Sequence, residues 1–281
     1  MTTLRELVTD YLTVQLTVLI DAPTRIRAGE DVTHPTRVAV RRLRSSVRVF
    51  PELFEVEKAA RLDEELQWWA GVLGAVRDLD VQSERLGAAL DAVPDDLTMG
   101  PVQRQLAELV AVRRRAAQDG VHEALDSPRH RALDALLHAW RSEPPFTAAA
   151  DVSGKLVARY VGRADRTTHK RLAQASQAYR RGDADADTLM HRARKAGKRH
   201  RYAVELAGPV LGKKADAVVA SRKEFQELLG EHQDSIVAEG LLRELGVQAG
   251  SAGENGFTWG LLLAREQQVA RTVVGELRRF L

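Results

Sequence analysis

The chain writes one unusual helical pattern twice, and that repetition limits what it can fold into more than any other feature. The segment HPTRVAVRRLRSSVR starts at His34, and HRARKAGKRHRY starts at His191. Aligned on their histidines, both carry Arg at +3, Arg or Lys at +7 and Arg at +10. His34, Arg37, Arg41 and Arg44 are thus matched by His191, Arg194, Lys198 and Arg201 at an offset of 157 residues. Downstream, LGAVRDLDV from Leu73 and LGEHQDSIV from Leu229 form a second pair at an offset of 156. Two motifs at a common offset predict a duplicated half of roughly 140 residues, the copies packing about a pseudo-twofold axis. Pro144 and Pro145 mark the divide, giving an N-terminal half over 1–145 and a C-terminal half over 146–281 that together make one domain.

Apolar residues recur at helical spacing almost throughout, and no window sustains period-two alternation, so the fold class is all-α. Helices are predicted over 3–20, 34–50, 55–90, 101–126, 129–142, 152–181 with a break near Gly162, 187–207, 213–246 with a break near Gly230, and 257–281. Pro35 suits a first helical turn, Pro51 stops the helix before it, and Asp187 with Thr188 offers N-cap oxygens. The stretches DAPTRIRAGED, VPDDLTMGP, SEPPFT, AGPVLGKK and GVQAGSAGENG read as loops. Trp68 and Trp69 read as core and interhelix contacts rather than as a base-stacking platform.

On a helical wheel with His34 at zero, Arg37, Arg41, Arg44 and Arg48 fall between about 280° and 340°, while Ala39, Phe50, Leu43, Val47 and Val40 fall between about 140° and 240°. In the second copy Arg194, Lys198 and Arg201 repeat the basic positions, Tyr202 adjoins them, and Ala193, Ala196, Val204 and Ala207 form the other side. A solvated face is the ordinary explanation of a charge run. Solvated faces mix signs, however, as EVEKAARLDEEL does, and like charges three or four apart each cost a few tenths of a kcal/mol. The formal net charge is +3, yet residues 34–48 and 191–201 hold eleven Lys/Arg and no Asp/Glu, which leaves 31 basic against 39 acidic residues elsewhere. Positive charge concentrated on an acidic body points to an anionic partner. The row from His34 to Arg48 extends about 21 Å, longer than one phosphate needs and suited to a linear polyanion gripped by arginine forks.

His34 and His191 open the two rows, where an imidazole could donate to phosphate, although His34 could instead cap the helix ahead of Pro35. If both histidines touch phosphate, affinity is expected to rise as pH falls through about 7 to 6. Asp78 and Asp234, at matching places after each Leu-Gly, are expected near a helix start, capping backbone or orienting a neighbour such as Arg77. HExxH, an adjacent His-Asp pair, GxSxG, GxGxxG and a complete phosphate loop are all missing, so no catalytic residue, metal or cofactor is expected. The absence of cysteine excludes disulfides and thiolate sites. MTTLRELVTDYL lacks secretory-signal character, and no stretch approaches eighteen apolar residues, so a soluble cytoplasmic protein without membrane contact is expected.

HPTRVAVRRLRSSVRVF, LGAVRDLDV, SPRHRALDALLHAW and HRARKAGKRHRYAVEL, in that order and spread over essentially the whole chain, resemble the CHAD family, the conserved histidine alpha-helical domain. The resemblance implies two antiparallel helical bundles related by a pseudo-twofold, a basic central channel, and binding of inorganic polyphosphate. It places His34, Arg37, Arg41, Arg44 and Arg48 on one side of that channel and His191, Arg194, Lys198, Arg201 and Tyr202 on the other. Arg42, Lys195 and Arg199 lie off the central stripe, and of these Lys195 is kept in the binding set. Lys198 stands in place of Arg41, and Gln233 in place of Arg77, so the second half is expected to bind less strongly. Family members are often fused to a strand-built triphosphate-tunnel domain; none occurs in this sequence, so no hydrolysis is implied. Polyphosphate granules are a candidate location within the cytoplasm. The alternative function is RNA or other nucleic-acid binding, which the same charges permit and the scarcity of aromatics disfavours.

Overall fold

The computed structural model describes residues 2–277, apart from the side chains at 214, 216, 217 and 219–222. These residues form ten α-helices and no strand: α1 (Leu4–Arg27), α2 (Thr33–Val49), α3 (Val56–Asp91), α4 (Val102–Asp126), α5 (Pro128–Ser142), α6 (Val157–Arg181), α7 (Ala186–Leu206), α8 (Gly208–Leu211), α9 (Lys213–Ser251) and α10 (Phe257–Leu277). The all-α expectation holds. The predicted end of the last helix, at 278–281, lies outside the described residues.

Several helices run further than their punctuation suggested. α1 passes through Pro23, whose ring is buried against the core, and ends where Gly29 takes a φ of 80°. There the amide of Gly29 donates to the Ile26 carbonyl and that of Glu30 to the Arg25 carbonyl, a Schellman turn that only a residue tolerating positive φ supports. Arg27 then ties the end of α1 to the end of α4 through the Leu125 carbonyl and Asp126. α9 likewise continues through Gly230 and Gly246 and ends in the same turn at Gly253, φ 73°. Gly162 does not break α6 either. Buried apolar faces hold these helices together across single glycines, at a local penalty near 1 kcal/mol each. At the start of α7, Asp187 and Thr188 are not the cap: Asp185 stands there without a side-chain bond, and the Asp187 carboxylate accepts from Tyr179.

Packing follows the order of the chain. α1 packs on α2 and α5, α2 on α3, α3 on α4, then α6 on α7, α7 on α9 and α9 on α10. The two sets meet where α2 packs directly on α7. Of the three apolar clusters, the largest joins Leu43, Phe50, Trp69 and Trp140 to Val157, Ala203 and Val204, and a second joins Leu86, Leu90 and Leu106 to Leu241, Leu245 and Trp259. Both draw on residues from either side of Pro144 and Pro145. Trp69 is a core residue, and Trp68 lies beneath the Arg129 guanidinium at 4.7 Å.

Candidate functional site

The two basic helices are amphipathic in the sense the wheel predicted. Ala39, Val40, Leu43, Val47 and Phe50 are buried on one side of the first, and Ala193, Ala196, Val204 and Ala207 on the second. With those faces committed to the core, the cationic faces of α2 and α7 meet along one edge. A cleft of about 380 Å³ opens there, lined by Arg41, Arg44, Ser45 and Arg48 from α2, by Gln67 from α3 and by His191, Arg194, Lys195, Lys198, Arg199 and Tyr202 from α7. His34, Arg37 and Arg201, expected beside them, fall outside this lining. Arg199, Ser45 and Gln67 were not among the expected set.

Contacts among these groups divide the cations into held and unheld. The Asp63 carboxylate of α3, only 19% exposed, accepts from Arg44 at 3.0 Å and from Nε and Nη2 of Arg48 at 2.8 and 2.5 Å, while Arg44 also donates to Gln67 at 2.8 Å. Arg37 donates to Asp78 at 3.0 Å, and Arg194 lies 3.9 Å from Asp234. These two arginines occupy equivalent places in the repeat, and each keeps one buried guanidinium nitrogen, Nη1 of Arg37 and Nε of Arg194, without a hydrogen-bond partner. Arg41 and Arg201 both donate to the Tyr202 hydroxyl, at 3.2 and 3.0 Å, and the Arg201 guanidinium stacks on that ring at 4.8 Å. Tyr202, 2% exposed, therefore orders arginines from both helices and offers no open ring face. Arg42 turns away to an ion pair with Glu205. His191 is bonded through Nδ1 to Gln233.

The crowding of like charge is visible in protonation. Burial, reinforced by Arg194, Arg41 and Arg201 and opposed by Asp234, pushes the Lys198 ammonium down to about 7. Lys195 is depressed by burial and by Arg199, Arg44, Arg48 and Arg192. Burial lowers His191, with Lys195, Arg194 and Lys198 adding to it against the Gln233 bond, and desolvation with Arg41, Arg77 and Arg37 lowers His34 against Asp31. The histidines accordingly charge at lower pH than an ordinary imidazole, and Lys198 takes the titration near neutrality. Asp63 shows the opposite balance: burial would raise it, yet the Arg48 and Arg44 hydrogen bonds hold it below the usual carboxylate range.

A family model for the CHAD domain matches residues 10–243. The chain belongs to the CHAD family. Two uncharacterized proteins of Mycobacterium tuberculosis, Rv2226 and MT2285, are each 35% identical to it over 244 residues, covering 85% of this chain and 45% of theirs. The chain thus spans less than half the length of these curated relatives. Among solved structures, the CHAD domain of the plant Ricinus communis superposes with a TM-score of 0.70 at 29% identity, over 98% of this chain and 92% of that one. PptA from Streptomyces chartreusis superposes at 0.79 and 19% identity over 99% of each chain, a likeness of fold.

Within this CHAD fold the second motif pair has a different job from the one its spacing suggested. Asp78 and Asp234 lie in the interior of α3 and α9, not at helix starts, and each meets the first arginine of a basic row rather than Arg77. The Leu-Gly before Asp78 has a steric reason: a Cβ on Gly74 would sit 2.9 Å from Nη1 of Arg37, so the glycine lets that guanidinium cross α3 to its carboxylate. No helix among the described residues is long and apolar enough to cross a membrane.

Proposed function

We propose that the cleft between α2 and α7 binds inorganic polyphosphate and does not cleave it. One observation carries this reading: the direct packing of α2 on α7 merges two cationic rows into one cleft, while the carboxylates within reach, Asp63, Asp78 and Asp234, answer fewer than half of the positive groups. A near-neutral Lys198 and the unpartnered Nε of Arg194 are what a site awaiting an extended anion would hold. Membership of the CHAD family supports the same ligand. Asp78 and Asp234, the carboxylates a phosphohydrolase reading would need, are engaged by Arg37 and Arg194, which supports binding without hydrolysis. Nucleic acid is the less favoured ligand because the one aromatic residue of the cleft, Tyr202, is buried and cannot stack on a base.

Titration of the full chain with long-chain polyphosphate tests this. We expect salt-sensitive binding that the double charge reversal Arg41→Glu, Lys198→Glu weakens by about 100-fold or more, since two charge-assisted contacts are worth roughly 1.5–3 kcal/mol each. Helicity at 222 nm should be retained. Absence of binding, or displacement of polyphosphate by RNA at equal phosphate concentration, would overturn the reading.

A further inference from the structure

The cationic surface does not stop at the rim of the cleft. Arg192, Lys195 and Arg199 recur three and four residues apart along α7, about 120° around the helix from the row led by His191. With Arg171 of α6 they line a second pocket of about 360 Å³ that contains no carboxylate. Lys195 and Arg199 line both pockets, so the two adjoin across these side chains. Burial lowers the Arg199 guanidinium, and Arg48, Arg171 and Arg44 lower it further against the opposing pull of Asp63, so cations of the inner cleft and the outer patch act on one side chain.

This patch is not a by-product of the repeat. At the common offset of 157, the first copy has Pro35, Val38 and Arg42 where the second has Arg192, Lys195 and Arg199, and Arg42 is neutralised by Glu205. One half alone accumulates four cations with no acidic partner in their pocket. Such a cluster opposes folding by mutual repulsion, and an anion laid across it would relieve that.

We propose that the outer patch continues the phosphate track: a long polyanion leaves the α2–α7 cleft over Lys195 and Arg199 and lies against Arg171 and Arg192, so that chain length is sensed on the outer face of α7. This rests on the polyphosphate reading and adds a specificity element to it. Tripolyphosphate occupies the inner cleft alone, whereas long-chain polyphosphate reaches both pockets.

The test compares these two ligands on the full chain carrying Arg171→Gln and Arg192→Gln together. We expect long-chain affinity to fall by about 10-fold and the slope of log affinity against log salt to shrink by about 1.5, with tripolyphosphate binding changed by less than about 2-fold. Unchanged long-chain affinity, or equal losses for both ligands, would overturn the track while leaving the inner cleft standing. A wild-type chain that binds neither ligand would overturn both readings together.

Discussion

Lys198 is the residue at which the structure adds most to the repeat pattern. Its position was legible, as the lysine standing where the first copy has Arg41; its near-neutral titration was not, because burial and the approach of Arg41 from another helix depend on how α2 meets α7. An ammonium lowered from its ordinary value to about 7 by folding is charged in both folded and unfolded states below that pH. The full penalty of burying it is present there and is relieved as pH rises from about 7 towards 10.4, the range over which the unfolded chain alone keeps the proton. The free protein should therefore gain stability over that range, and Lys198→Met should raise the melting temperature at pH 6.5 while flattening the rise. A bound polyanion reverses the balance and returns the proton. Affinity should thus fall as pH rises above about 7, and binding heats at pH 7.5 should scale with the ionisation enthalpy of the buffer. Heats independent of the buffer would remove Lys198 from the site. Asp63 shows the complementary limit of sequence reading, since nothing in the spacing of 34–48 tells which carboxylate of the next helix will face Arg44 and Arg48.

At the scale of elements, helical faces were legible because each apolar stripe has to be buried. The positions assigned to the apolar sides of α2 and α7 are all in the core. Helix ends were less legible. Pro23, Gly162 and Gly230 look like breaks in isolation, whereas the stops fall where glycine adopts the left-handed conformation, at Gly29 and Gly253. One glycine inside α7 has a packing reason that no pattern revealed. A Cβ on Gly197 would lie 2.2 Å from Nε2 of Gln226, the movable end of that side chain, and 3.3 Å from Cε1 of the buried Phe225, so α7 packs closely on α9 at this glycine. Replacing glycine in a helix interior gains up to about 1 kcal/mol of propensity. Gly197→Val must also displace Gln226 and strain the Phe225 ring, an overpacking loss of about 1–3 kcal/mol. The valine variant should therefore be less stable in urea, and weaker in polyphosphate binding through displacement of the whole basic helix. A gain in stability would show that the helices separate without penalty.

For the molecule as a whole, the motif pairs at offsets of 157 and 156 were legible in the sequence, but the way the chain on either side of Pro144 is joined was not. The α3 residues that make the join, Gln82 and Arg85, lie just beyond the LGAVRDLDV motif. Gln82 of α3 donates to the Asp234 carbonyl, and Arg85 of α3 donates to Glu231 of α9 at 2.7 Å and to Glu266 of α10 at 2.6 Å. Burial opposes the Arg85 charge, and the bonds to Glu231 and Glu266 overcome it and raise the guanidinium above its ordinary range. Glu266 is 5% exposed, whereas Glu231 is 44% exposed and can be solvated without Arg85. Arg85→Ala consequently strands one carboxylate in the interior and should lower unfolding stability by about 3–5 kcal/mol. Arg85→Met combined with Glu266→Leu removes both buried charges and fills their volume, so most of that stability should return. Urea unfolding of the wild type and the two variants, with unchanged m-values, separates a buried charge pair from a merely exposed one. A near-neutral Arg85→Ala, or a double variant as unstable as the single one, would show that α3 is held to α9 and α10 by the apolar contacts of Leu86, Leu90 and Trp259 and the Gln82 bond rather than by the buried charge pair.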